Sequence, residues 1–172
     1  MGESLTEGKY ITFKISTYLL ALPIDSVFKV IACPPDLSHT LREAKLAQLG
    51  QSTVMILKLH QSLDPLYSQQ QDSNQIGRFL IIMQGKEGEL YGILVGTPPN
   101  LMTIPETCIQ QVPQSFHHTG LPTWVSQIAI LNHKDERTTI LMLDIQRSSL
   151  VDNRALSIDG GQIPDLLKKS GI

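Results

Sequence analysis

Apolar and polar residues alternate with a period of two along several short stretches of the chain. That alternation is typical of half-buried β-strands. In residues 9–16, Ile11, Phe13 and Ile15 share one face while polar or amphipathic residues occupy the other. Residues 19–22 form the next short apolar run, and Pro23 closes it. The pattern therefore predicts two consecutive strands at the start of the chain.

Two β-hairpins are predicted further on. Apolar residues 79–83 and 90–95 flank the turn sequence Gly-Lys-Glu-Gly, and residues 125–131 and 138–143 flank a polar turn over residues 132–137. Each run is too short for a globular helix and contains β-branched or aromatic residues. No alternation of strands and helices is visible, and no loop is shaped for a nucleotide. This organisation favours a binding module over a metabolic enzyme.

The remaining segments give weaker signals. Residues 52–59 and 101–104 are predicted strands, and Pro105 is expected to begin a helical turn. The apolar residues of 24–31 have helical spacing, although residues 27–31 fit a strand equally well. Residues 33–36 contain two prolines and are interpreted as a rigid break, and residues 41–49 contain good helix formers of ambiguous role. Eight to ten short strands indicate an all-β fold, with barrels or a sandwich as its architecture.

Three segments are expected to lie outside the regular fold. Residues 61–77 contain few apolar anchors and are predicted to form an exposed, mobile loop, and residues 110–123 are interpreted as a polar connector. The domain is assigned to residues 8–150. Residues 151–172 are assigned to a polar tail that ends in a short amphipathic segment. The apolar residues of that segment are Ile163, Leu166, Leu167 and Ile172.

Period-two placement also predicts which side chains are buried. The expected core residues are Ile11, Phe13, Ile15, Leu80, Ile82, Ile93, Val95, Ile140 and Met142.

Composition narrows the class of protein. The chain has 172 residues, 41% of them hydrophobic, which suffices for one domain or two small subdomains that share a core. Its formal charge of −2 and the absence of a basic block argue against nucleic-acid binding. The apolar runs are too short to span a membrane, and the N-terminus lacks an apolar signal core. Cys33 and Cys108 are far apart in sequence, so we expect reduced thiols and a cytoplasmic location.

The sequence contains no recognisable catalytic or metal-binding motif. His117 and His118 form the only adjacent histidine pair, without acidic or cysteine partners at ligand spacing. Asp144 follows an apolar strand, where a carboxylate either serves catalysis or, as we favour, caps a helical turn. Trp124 is interpreted as a core residue, with an interface anchor as the alternative. We therefore predict no enzyme activity, no metal and no cofactor.

The order of these segments resembles that of CheW-like domains, the adaptors of bacterial chemotaxis-type signalling arrays. Residues 21–31 (ALPIDSVFKVI) are similar to the signature that follows the family's opening strand, and residues 54–59 match the position of its next strand. Residues 91–95 (YGILV), within the hairpin of residues 78–96, are similar to the family's next hairpin. The hairpin of residues 128–143 is similar to the one that ends the family's domain. The resemblance covers about residues 9–150.

This resemblance implies a fold of two small SH3-like β-barrels, each of five strands, that share a core. It implies a non-catalytic scaffold that couples a chemoreceptor to a CheA-type histidine kinase and binds no cofactor. The family's docking segments correspond here to a set of candidate protein-interaction residues. These residues are Val27, Lys29, Val30, Ile31, Lys58 and Gly92.

The chain departs from the family pattern at four positions. Lys29 and Lys58 stand where the family has acidic residues, Gly50 replaces an arginine, and Gly96 replaces an aspartate. A lysine disfavours a basic docking site, so we expect a partner with an acidic surface, unless both lysines lie on a solvated face without contacts. The alternative function is a β-barrel that binds a small ligand in an apolar interior open at one mouth.

Overall fold

Short strands dominate the computed structural model, which describes residues 6–59, 63, 77–115, 122 and 124–144. The chain also forms the α-helix α1 (Pro35–Glu43) and the 3₁₀ helices η1 (Ile24–Ser26) and η2 (Glu106–Cys108). The strands are β1 (Glu7–Ile15), β2 (Tyr18–Pro23), β3 (Val27–Ala32), β4 (Leu46–Leu49), β5 (Ser52–Ile56), β6 (Phe79–Gln84), β7 (Leu90–Val95), β8 (Asn100–Pro105), β9 (Ile109–Gln111), β10 (Val125–His133) and β11 (Glu136–Leu143).

The strands form two sheets. One has six strands in the order β8-β1-β2-β11-β10-β9, and the other has five in the order β3-β6-β7-β5-β4. Both hairpins predicted from the sequence are present, as β6–β7 and β10–β11. Neighbouring strands are antiparallel except for the pairs β2–β11 and β5–β7, which are parallel.

The connections between edge strands explain how each sheet curls into a small barrel. The two edges of the six-stranded sheet, β8 and β9, are consecutive in the chain and are separated only by η2. The two edges of the five-stranded sheet, β3 and β4, are joined through α1. The all-β fold of two SH3-like barrels predicted above is confirmed. The strand count was wrong for one barrel, because the three-residue strand β9 adds a sixth.

Tight turns fix the register of three hairpins. The turns β1–β2, β4–β5 and β10–β11 each contain two residues, and the first residue of each has a positive φ: 55° at Ser16, 63° at Gly50 and 54° at Lys134. A left-handed first residue matches the twist of the flanking strands. The last of these turns is shorter than the predicted polar turn of residues 132–137, because β10 and β11 continue pairing to their ends.

Buried apolar side chains form three clusters. The shared core draws on both sheets, the second core lies in the five-stranded sheet beside α1, and the third core lies in the six-stranded sheet. The shared core contains Phe13, Ile15, Leu20, Leu22, Leu57, Leu59, Ile81, Met83, Tyr91, Ile93, Val95, Trp124, Val125, Leu141 and Leu143. The second core contains Cys33, Leu41, Ala47, Val54, Ile56, Leu80 and Ile82. The third core contains Ala21, Ile104, Ala129, Ile140 and Met142.

Central strands feed two clusters at once because successive side chains point to opposite faces of a sheet. In β6, Leu80 and Ile82 enter the second core, whereas Ile81 and Met83 enter the shared core. The predicted core residues are all buried except Ile11, which is half-buried. The predicted residues divide among the three clusters, and the shared core is the one that draws on both sheets. Trp124 is a buried member of the shared core, as predicted.

Local assignments between residues 24 and 59 needed the most correction. Residues 24–31 form η1 followed by β3, so of the two alternatives left open for residues 27–31 the strand is correct. The expected break at residues 33–36 is the start of α1, with Pro35 at its first turn, where a missing N–H costs no hydrogen bond. The ambiguous segment 41–49 is divided between the end of α1 and β4, and the strand predicted for residues 52–59 ends at residue 56.

Several expectations concern residues that the structure does not describe. The loop of residues 61–77 lies outside the described residues except for Leu63, which packs half-buried against the shared core, and Gly77, which is buried. His117, His118 and the tail of residues 151–172 also lie outside them. Among the helices of the described ranges, none has the length and apolar character needed to cross a membrane.

Candidate protein-interaction surface

Exposed apolar side chains are concentrated along η1 and β3. Phe28 is 55% exposed, Val30 39% and Ile24 38%, and the exposed Lys29 lies between the first two. β3 is the outermost strand of the five-stranded sheet, and its described strand partner is β6. We call the exposed edge formed by the side chains of Ile24, Phe28, Lys29 and Val30 the β3 surface. Lys29 pairs with Ile82 and Val30 with Ile81, so these two side chains leave opposite faces of the edge strand. Concentrated apolar exposure of this kind is typical of a protein-interaction site.

Pro23 and η1 determine where this surface lies. Pro23 ends β2 with extended dihedral angles, φ −53° and ψ 135°, and the chain then makes a single 3₁₀ turn. Val27 returns to extended geometry with φ −88° and ψ 118°. Strand β2 of one sheet therefore leads into β3 of the other, and the β3 surface lies at the junction of the two barrels.

A β-bulge shapes the exposed edge. Val27 pairs with Met83 and Lys29 pairs with Ile82, so Phe28 is an extra residue between two successive pairs. Bulges and lysines on an edge strand both hinder the addition of a further strand. The β3 surface is therefore better suited to contacts through side chains than to extension of the sheet.

Two apolar residues of β3, Val27 and Ile31, face inward. Val27 is half-buried against the shared core, and Ile31 is half-buried against the second core. They anchor the strand from both sides of the sheet. Packing against the cores explains why Val27 and Ile31 are apolar. It does not explain why the exposed Phe28 and Val30 are apolar.

Lys29 forms a cation–π contact with its neighbour. Its Nζ lies 5.7 Å from the centroid of the Phe28 ring. Such a contact contributes about 0.5–1 kcal/mol at an exposed site. The contact places a positive charge beside an exposed aromatic ring, an arrangement that suits a partner group in which a carboxylate adjoins an apolar side chain.

Lys58 lies elsewhere and has a structural partner. Its half-buried side chain donates hydrogen bonds from Nζ to the carbonyl oxygens of Leu41, at 2.9 Å, and of Arg42. These carbonyls belong to the last turn of α1, where the helix dipole favours a positive charge. The structure therefore gives Lys58 a C-terminal capping role and does not place it on the β3 surface.

Gly92 also lies away from the β3 surface. It is buried in β7, and a Cβ atom at this position would meet Leu80 Cδ1 at 3.0 Å, Val54 Cγ1 at 3.1 Å and Ile56 Cδ1 at 3.2 Å. The absence of a side chain allows these three residues to pack in the second core. Of the predicted interaction residues, the structure thus brings together Val27, Lys29, Val30 and Ile31, and separates Lys58 and Gly92 from them.

The described residues offer little catalytic chemistry. No group of three or more His, Cys, Asp or Glu residues in the described ranges could hold a metal ion. Cys33 follows β3 directly, but burial raises the pKa of its thiol, which favours the neutral and less nucleophilic form. A polar cleft of about 240 Å³ lies between η1 and the β10–β11 hairpin. It is lined by Tyr10, Pro23, Ser26, Ser126, Gln127, Met142, Leu143 and Asp144.

Sequence reasoning missed Ile24 and Phe28, the two other apolar members of the β3 surface. Both share helical spacing with Val27 and Ile31, which directs attention to a helix and away from an exposed strand. The available signal is that residues 27, 28, 30 and 31 are all apolar. A strand with apolar residues on both faces must bury both, and an edge strand leaves part of them exposed.

Comparison with known proteins identifies the family. The profile of the CheW-like domain matches residues 9–149 of the chain. The chain belongs to the CheW-like domain family. One solved structure similar to it is that of the scaffolding protein TtCheW from Thermoanaerobacter tengcongensis, with 15% sequence identity, coverage of 85% of this chain and 90% of that chain, and a TM-score of 0.48. No curated protein matches the chain significantly.

Family membership supports a role for this CheW-like domain as an adaptor or scaffold of the chemotaxis type. The four departures from the family pattern can now be placed in the fold. Gly50 occupies a left-handed turn position, Lys58 caps α1, and Gly96 is half-buried after β7. Lys29 alone among the four lies on the β3 surface, so the charge difference relevant to docking there is concentrated in one residue.

Proposed function

We propose that this CheW-like domain is a non-catalytic adaptor that couples a chemoreceptor to a CheA-type histidine kinase, and that the β3 surface contacts one of these partners. The observation that carries the proposal is the exposure of Phe28 and Val30 on an edge strand at the junction of the barrels. Aromatic residues at the centre of such a surface commonly dominate binding energy.

The chemistry of the surface indicates the character of the partner. Lys29 is the charged residue next to Phe28, and its ammonium group stays beside the ring. A partner surface that combines apolar side chains with carboxylates complements this arrangement, because opposite charges at the rim of an interface accelerate association. A basic partner surface is disfavoured for the same reason.

A small-ligand barrel has less support. The interiors of both sheets are filled by their own side chains, including Leu80 and Ile82 in one and Ile104 and Ile140 in the other, all of them buried. A barrel that encloses a ligand needs an interior that these side chains leave empty. We therefore retain the adaptor as the only proposed function.

The test is a binding measurement with the CheA-type kinase and the receptor signalling fragment of the same organism. We expect wild-type protein to bind at least one of them, and Phe28→Ser to weaken that binding by about tenfold or more. Leu101→Ser is the matched control, because Leu101 is 60% exposed on the other sheet's edge strand β8. Absence of wild-type binding to both partners would reject the adaptor function. Equal losses in the two variants would reject the assignment of the surface.

A further inference from the structure

We propose that residues 163–167 of the tail bind the β3 surface of their own chain, so that a partner must displace them. Three observations support this intramolecular contact: where the tail begins, how far it can reach and what its side chains offer. The contact itself is independent of the proposed function. Only the competition with a partner rests on that function.

The last described residue before the tail lies close to η1, which leads into β3. Asp144, the last residue that the structure describes, lines the polar cleft together with Pro23 and Ser26. Ser26 is the last residue of η1, and Phe28 follows two positions later. The last described residue, Asp144, therefore lies close to the 3₁₀ turn that leads into β3.

The tail is long enough to return to this surface. Ile163 lies nineteen residues after Asp144. Nineteen residues can span at most about 65 Å, which exceeds the separation of neighbouring elements. Tethering within one chain raises the effective concentration of the segment, so even weak contacts are populated.

The side chains of the segment complement the surface. Ile163, Leu166 and Leu167 supply three apolar groups within five residues, a number that matches Ile24, Phe28 and Val30. The segment also carries charges of both signs. Asp165 lies beside the apolar pair and Lys168 follows it, while the exposed Asp25 and Lys29 lie among the exposed apolar residues of η1 and β3. Leu101, exposed on edge strand β8, lies between the exposed Asn100 and the half-buried Met102 and lacks this grouping.

The test uses the full chain and two charge-matched double variants. Leu166→Glu with Leu167→Glu removes the apolar pair, whereas Gln162→Glu with Ser170→Glu adds the same charge at polar positions of the tail. Nuclear magnetic resonance spectra follow the Phe28 ring and the Val30 methyl groups, with the Leu101 methyl groups as an internal reference. We expect the first variant to shift the Phe28 and Val30 signals and leave Leu101 unchanged, at every protein concentration. The control variant should leave all three unchanged.

Several outcomes would overturn the proposal. Unchanged Phe28 and Val30 signals in the first variant, or equal shifts in the control, would exclude the contact. A shift that grows with protein concentration would assign the occupant to a second copy of the chain.

Competition with a partner is tested separately. A tail that is bound about nine-tenths of the time lowers the apparent affinity of a partner about tenfold, so the Leu166→Glu, Leu167→Glu variant should bind that much more tightly. Unchanged affinity despite shifted signals would reject the competition. The spectra need no partner, so failure of the adaptor function leaves the intramolecular contact fully testable.

Discussion

Strands β3 and β9 occupy matching places in the two sheets, yet they expose different kinds of side chain. Each follows a proline and a three-residue 3₁₀ helix, and each is the outermost strand of its sheet. Pro23 and Pro105 have nearly the same dihedral angles, φ −53° and ψ 135° against φ −63° and ψ 138°. β9 nevertheless exposes two glutamines, whereas β3 exposes Phe28 and Val30.

This difference separates what the fold needs from what it does not need. The inward residues of the two strands are alike: Val27 and Ile31 pack against two of the cores, and Ile109 packs against the third. Gln110 and Gln111 demonstrate that the same edge position accepts polar side chains in this architecture. Folding therefore does not require the exposed residues of β3 to be apolar, which supports a role for them in binding.

The first prediction has the largest expected effect. It compares the free energy of unfolding of a variant in the core behind β3 with that of a variant on the exposed edge. Ile82 is buried in the second core, directly opposite Lys29 in the β3–β6 register. Ile82→Ala should lower the free energy of unfolding by about 2–5 kcal/mol, because it leaves a cavity among packed neighbours. Val30→Ala should cost no more than about 0.5–1 kcal/mol, because Val30 is already partly solvated. Urea denaturation of both variants gives the comparison. A similar cost for the two would mean that β3 is apolar for the sake of stability.

The second prediction concerns a variant in which the exposed apolar residues of β3 are replaced by glutamine, the residue that β9 exposes. Phe28→Gln combined with Val30→Gln should leave the free energy of unfolding within about 1 kcal/mol of the wild-type value, because both side chains are exposed. Binding to the proposed partner should weaken by about 2 kcal/mol or more, since an aromatic anchor is lost. Isothermal calorimetry measures the binding, and denaturation of the same samples measures the stability. If the variant has a much lower free energy of unfolding but its folded form binds as tightly as wild-type protein, the exposed apolar residues of β3 serve stability and not binding.

Lys58 provides a third prediction with a smaller effect. Lys58→Met removes the two hydrogen bonds to the last turn of α1 and should lower the free energy of unfolding by about 1–2 kcal/mol. Lys14→Met, at an exposed position of β1, is the matched control and should change it by less than about 0.5 kcal/mol. Amide hydrogen exchange should also become faster in residues 40–44. Partner binding by folded Lys58→Met protein should stay unchanged. A loss of binding would show that Lys58 belongs to the docking surface.

The sequence could predict the strands whose burial follows from local alternation. Phe13, Ile15, Leu80 and Ile82 are buried as expected, because a period of two places them on one face whatever strand lies beside them. Residues 24–31 could not be assigned in this way, since apolar residues on both faces satisfy helical and strand spacing alike. Pairing with β6, some fifty residues later, decides the matter, and no local pattern records that pairing.

The resemblance to the family pointed to residues 27–31 as an interaction segment, and in the structure these residues belong to a partly exposed edge strand. That they bind a partner stays a prediction, and the details of the surrounding contacts were not predictable. The partners of Lys58 are carbonyl groups sixteen and seventeen residues earlier in the chain, and they become neighbours only when α1 packs beside the five-stranded sheet. The burial of Gly92 likewise depends on Leu80, Val54 and Ile56, which belong to two other strands. Such contacts are tertiary, so single-residue matches to a family pattern do not reveal them.

The smallest expected effect concerns Lys29, the one departure from the family pattern that lies on the β3 surface. A graded series of Lys29, Lys29→Met and Lys29→Glu changes the local charge from positive to negative while the apolar residues stay in place. If the partner surface is acidic, association should slow about three- to tenfold from lysine to glutamate at low salt, and the differences should shrink as salt is added. Stopped-flow or surface plasmon resonance measurements at two ionic strengths provide the rates. Lys86→Glu, in the exposed β6–β7 turn, controls for the change in net charge. Association rates that are equal across the series and independent of salt would show that Lys29 faces solvent in the complex, and binding would then rest on the apolar side chains of β3 alone.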